Sequence, residues 1–179
     1  TKGGGLLANV TTAGTLTAVS VQGGDIEGAA RAFDGELAAS TELGDDIMTT
    51  WALANAAEVA MRQSRWGDAA RHQRACLRLA TALGQPVYVA YSAIVAARLV
   101  GGSDPAMATR LLVRALDALT ESSHELYPDD AEAVEQLLAR SADALGDEDY
   151  RREEAAGHSM GLDDLADVAD GVLERRTGA

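Results

Sequence analysis

His72 and Cys76 stand four residues apart, a spacing that puts both on one face of a helix. A structural zinc site takes about four such ligands. No second pair at metal spacing accompanies them, and His124 and His158 are isolated in sequence. The pattern therefore reads as a small core position for Cys76 and a partly exposed His72. Asp129-Asp130 and Asp163-Asp164 are carboxylate pairs of the kind that general acid–base chemistry uses. Both fall where a helix is expected to begin, and acid there is stabilising by ~0.3–1 kcal/mol. Gly3-Gly4-Gly5 lacks the lysine and hydroxyl residue that complete a phosphate-binding loop. Ser92, Ser122 and Ser123 have no nucleophile-elbow context. An enzyme finds no supporting constellation, and no cofactor or metal is expected.

Two surface patterns bear on binding instead. Arg71, Arg74 and Arg78 form a basic stripe at helical spacing, which Arg110 and Arg114 are expected to extend. A solvated outer face explains such a stripe. The alternative is a docking surface for an acidic segment, whether of this chain or of a second copy. Trp51, Glu58 and Arg62 follow at offsets of seven and four, so one helix displays them as a ladder. An aromatic beside an acid and a base is the composition of a binding surface. Against it stands a purely packing role, in which Trp51 covers the seam to a neighbouring repeat.

The elements that carry these residues repeat. Three segments align: Gly24–Arg31, Ser64–Arg71 and Ser103–Arg110, at offsets of 40 and 39. A small residue recurs as Ala29, Ala69 and Ala108, an arginine as Arg31, Arg71 and Arg110, and a leucine as Leu37, Leu77 and Leu116. Each segment follows another helical one, over 47–62 and 87–100. The stretch 6–22 is assigned to helix by the repeat offset despite its threonine and valine. Leu53, Ala56, Ala57 and Ala60 make one apolar stripe on 47–62. Gly44 and Gly84 sit where helix-terminating glycines belong. Pro105 falls in the first turn of its helix. The predicted fold is all-α: helix pairs repeating about every 40 residues and stacking into a right-handed superhelix. Three pairs fill residues 6–128, and a less regular acidic helical cap fills 129–175.

Composition agrees. Of 179 residues 47% are hydrophobic but only 4% aromatic, so alanine, the best helix former, dominates the apolar set. Residues 1–116 are net neutral, and residues 117–179 carry the whole net charge of −13. Acid repels phosphate backbones, so no direct nucleic-acid binding is expected. No stretch reaches the ~20 apolar residues of a membrane span, and Cys76, the single cysteine, forms no intramolecular disulfide. A cytoplasmic location is expected. One lysine against fourteen arginines hints at a GC-rich bacterial genome.

The stretches Leu53–Ser64 (LANAAEVAMRQS) and Trp66–Arg71 (WGDAAR) resemble the long tetratricopeptide repeats of large bacterial transcriptional regulators. These are the SARP-type and LuxR-type regulators with a central nucleotide-binding switch domain. Similar arrays follow bacterial adenylate cyclase and kinase domains. Ala144–Tyr150, Glu154–Gly157 and Leu162–Ala166 resemble the closing segment of such proteins, so the likeness covers roughly residues 8–175. Two positions depart from the pattern. Gln73 stands where an aromatic or leucine is usual, as at Phe33 and Leu112, and Glu36 stands where a small residue is usual. The resemblance implies a tetratricopeptide-like scaffold or sensor that binds a protein, a peptide, a ligand or other domains of its parent chain. A stand-alone adaptor is the alternative. It also implies that first helices line a concave face, which places Trp51, Glu58 and Arg62 there. Ala90, Ala97 and Gly101 of the next repeat would form an open floor beside them, walled by Tyr88 and Tyr91.

Overall fold

A computed structural model describes residues 25–177. All regular elements among them are helices, with no strand. In order they are α1 (Ile26–Leu43), α2 (Asp46–Arg62), α3 (Trp66–Ala82), α4 (Pro86–Val100), α5 (Pro105–Glu121), α6 (Pro128–Leu145), α7 (Asp147–His158) and α8 (Leu162–Thr177). None is long and apolar enough to cross a membrane. The helix expected over 6–22 lies outside the described residues.

Short local signals set the helix ends. Asp25, Asp45 and Asp104 each accept a hydrogen bond from the backbone N–H three residues on, filling one of the donors that a helix start leaves open. Pro86, Pro105 and Pro128 open α4, α5 and α6, where a missing N–H costs nothing. Gly44 and Gly84 end α1 and α3 at φ of 67° and 62°, the left-handed conformation that glycine adopts without penalty. Ser64 and Ser123 take the same region with a side chain, at φ of 58° and 53°.

The chain divides into two compact units between Leu79 and Ala80. In the first, α1 packs on α2. Ala29, Phe33, Ala56 and Val59 form the seam, and Ile26, Ala30 and Trp51 lie against it. The expected stripe on α2 is buried and wider than expected: Thr50, Ala52, Val59 and Met61 join Leu53, Ala56, Ala57 and Ala60. A helix this rich in alanine can be covered on two sides because its backbone admits neighbours closely.

In the second unit α5 is the central element, touching α4, α6, α7 and α8, while α4 also packs on α8. The helices from Pro128 onward thus cover the α4–α5 pair. They are three regular helices, where a less regular cap was expected. Two glycines allow close approach. A Cβ on Gly157 of α7 would lie 2.9 Å from Val113 Cβ and 3.0 Å from the Arg110 carbonyl of α5. A Cβ on Gly101 would lie 2.5 Å from Leu137 Cδ1 of α6. At the far end of the unit, Arg176 of α8 donates to the Leu99 carbonyl at 2.7 Å, satisfying an acceptor near the end of α4.

The repeat register is visible in burial. Ala29, Ala69 and Ala108 are fully buried. So, nearly, are the three positions four residues on, Phe33, Gln73 and Leu112, and the three after those, Glu36, Cys76 and Ala115. Gln73 and Glu36, the two polar residues at these positions, therefore sit inside the protein. Of the repeated leucines only Leu77 is buried; Leu37 and Leu116 are half-buried.

Glu36 is the anomaly of the first unit. It is 1% exposed, and neither carboxylate oxygen has a hydrogen-bond partner among the described residues. Burial disfavours the anion and pushes its pKa from 4.5 up to about 7. The folded state thus holds a proton at Glu36 that the unfolded chain releases near pH 4.5. Stability from this group is complete below that value and is lost as pH rises toward 7, by about 3 kcal/mol in total. Urea denaturation of Glu36→Gln should show no such loss between pH 5 and pH 8, while the parent chain shows it. Identical pH profiles for the two proteins would refute the assignment.

Candidate functional site

The ladder on α2 separates into two parts. Trp51 is half-buried and meets Phe33 of α1 edge-on, with ring centroids 6.1 Å apart and planes at 73°. Such pairs add ~0.5–1.5 kcal/mol beyond the area they bury. The indole thus closes the α1–α2 seam. Arg62 Nε donates to Glu58 Oε1 at 2.8 Å, with the two side chains 40% and 32% exposed. At helical i,i+4 spacing this is a surface pair worth a few tenths of a kcal/mol. Beside it, Gln63 Nε2 donates to Glu27 Oε1 at 2.9 Å and ties the end of α2 to the start of α1.

Tyr88 and Tyr91 belong to the first turns of α4, in the second unit. Tyr91 Oη lies 3.4 Å from His124 Nε2, and the two rings meet edge-on at 5.8 Å. Burial, reinforced by Asp130 and by the phenols of Tyr127 and Tyr88, pushes the Tyr91 hydroxyl up to about 12. His124, Tyr127 and Asp130 were missed as site residues. Their only sequence signal is position on either side of Pro128, because His124 meets Tyr91 across 33 residues. The expected open floor is absent. Ala90 and Ala97 are fully buried, and the space beside Gly101 is taken by Leu137. Alanine at these places serves close packing and leaves no bare surface.

The remaining candidates resolve as follows. Cys76 is fully buried and His72 half-buried, and burial followed by the charge of Arg71 lowers the imidazole pKa. Asp129, Asp130, Asp163 and Asp164 occupy the first turns of α6 and α8. Ser92 and Ser122 donate to the carbonyls of Tyr88 and Ala118, each at 2.7 Å. Neither His124 nor His158 is isolated in space, since His158 Nδ1 lies 2.7 Å from Asp117 Oδ2.

The arginines expected to extend the basic stripe on α5 are both engaged. Arg71 is exposed and donates to Asp68, which also accepts from Arg65, both at 2.6 Å. The Arg71 hydrogen bond, joined by Arg65, holds the Asp68 carboxyl below its usual range. Arg114 is buried and grips Glu121 through both terminal nitrogens at 3.1 Å. Arg110 pairs with Glu153 at 2.9 Å. Both α5 arginines are thus paired with carboxylates of the second unit, Arg114 buried and Arg110 half-buried.

The geometry sets a clear order of sensitivity along the ladder. Trp51→Ala should lose about 2 kcal/mol, the half-buried counterpart of a core aromatic truncation. Arg62→Ala should stay within ~0.5 kcal/mol, as for an exposed residue. Urea denaturation of the two variants measures this. An unchanged Trp51→Ala midpoint would show that the indole is not part of the seam.

No protein-family model matches the chain, and no curated protein or solved structure matches it.

Proposed function

We propose that this chain is a tetratricopeptide-like scaffold, the partner-binding or sensing array of a bacterial transcriptional regulator or related signalling protein. A protein, peptide or ligand held on its helices would bias a switch domain elsewhere in the parent chain. Stacked repeats are elastic along their length, and differential binding to two arrangements is enough for such coupling. The observation that supports the reading is the threefold recurrence of the buried positions. Ala29, Ala69 and Ala108 recur as buried residues of α1, α3 and α5, with Phe33, Gln73 and Leu112 four residues beyond. Such recurrence belongs to arrays, whose usual work is to present surface. The residues offered for contact are Glu58 and Arg62 on α2, and Tyr88 and Tyr91 on α4.

The test is capture from an extract of the source organism on the immobilised chain, followed by titration of each captured protein in purified form. The reading predicts at least one saturable complex, weakened about tenfold or more by Tyr88→Ala or by charge reversal at Arg62, as for anchor residues. No saturable complex with any captured protein or parent-chain domain would overturn it.

A further inference from the structure

The second unit carries an aromatic and acidic surface at one end of its helices. Tyr88 and Tyr91 come from the start of α4, His124 and Tyr127 from the turn between α5 and α6, and Asp130 from the first turn of α6. Tyr91 and His124 are in ring contact, and Tyr88, Tyr127 and Asp130 all act electrostatically on the Tyr91 hydroxyl. These five groups therefore share one neighbourhood. Tyr127 is 71% exposed, more than Ile47, Trp66 or Leu83, the other large apolar side chains exposed among the described residues. An aromatic ring so placed contributes little to the core, and tyrosine is enriched where proteins meet partners.

Charge indicates what the surface suits. From Ala115 to Ala139 the chain has seven carboxylates and no lysine or arginine. Asp117 and Glu121 are engaged by His158 and Arg114. Glu125 and Asp129, which flank Tyr127 in sequence, are exposed. Aromatic faces attract cations through their quadrupole, and carboxylates beside them add a direct charge. An anionic segment would be repelled, and a purely apolar one would draw the exposed carboxylates of Glu125 and Asp129 out of water with nothing in return.

From this complementarity we infer that the Tyr88–Tyr91–Tyr127 surface docks a short protein segment bearing arginine side chains, which stack on the tyrosines and face Glu125 and Asp129. The inference rests on the scaffold reading and names the chemistry of one partner.

Hexa-arginine is the probe, titrated into the full chain at physiological salt and followed by amide chemical shifts. Binding should perturb residues 88–91 and 124–130. Tyr127→Ala, which leaves the net charge untouched, should weaken it about fivefold, and Tyr88→Ala with Tyr127→Ala about tenfold or more. Ile47→Ala, an equally conservative loss of an exposed apolar side chain, should change nothing. Two results overturn the inference: no binding, or binding that Tyr127→Ala leaves unaltered. The latter would mark simple attraction to a chain of net charge −13. A partner protein that binds saturably but does not compete with hexa-arginine would also overturn it while leaving the scaffold reading intact.

Discussion

Close helix approach through alanine is the constraint on which the rest of this structure depends. With one phenylalanine and two tryptophans in 179 residues, the chain has few large side chains with which to fill space between distant helices. It buries backbone-near surface instead. Ala52, Ala57, Ala60, Ala90, Ala93, Ala96, Ala97 and Ala115 are all fully inaccessible. Gly157 carries the same device further, setting α7 directly on Val113. Close-packed interiors respond to even one added methylene, so small residues at such contacts determine where neighbouring helices can lie.

That constraint decides which polar residues can enter the core. Thr50, Ser92 and Thr109 are fully buried, and each donates to a carbonyl one turn back on its own helix, at 2.7, 2.7 and 2.9 Å. A hydroxyl satisfied in this way needs nothing from its neighbours. Arg114 reaches Glu121 on its own helix with both terminal nitrogens, while its Nε has no partner among the described residues. Glu36 has neither route, and it lies where the equivalent positions hold Cys76 and Ala115. Its protonation, with the pH dependence that follows, is the consequence of a carboxyl in an alanine-sized position.

Much of the fold was legible because its punctuation is local. Glycine at 44 and 84 and proline at 105 mark helix ends through backbone preferences that neighbours do not alter. The buried alanines at the three offsets follow from the repeat itself. The candidate site was less legible, because its contacts join distant parts of the chain. Trp51 was placed on a ladder by helical geometry alone, and only the position of Phe33 on α1 shows that its ring belongs to a seam. The supposed floor of Ala90, Ala97 and Gly101 was judged open because small residues suggest space. Here they mark places where another helix already sits, as Leu137 shows at Gly101. His124 and His158 likewise found partners 33 and 41 residues away, beyond any local pattern.

Urea denaturation of leucine substitutions measures most directly the role of the recurring alanines. Ala69→Leu and Ala108→Leu, at fully buried and repeat-equivalent positions, should each lose about 1–3 kcal/mol through overpacking. Ala75→Leu, on the exposed side of α3, should remain within ~0.5 kcal/mol of the parent. Equal, negligible losses at all three positions would contradict the claim that close alanine packing at repeated positions builds this protein.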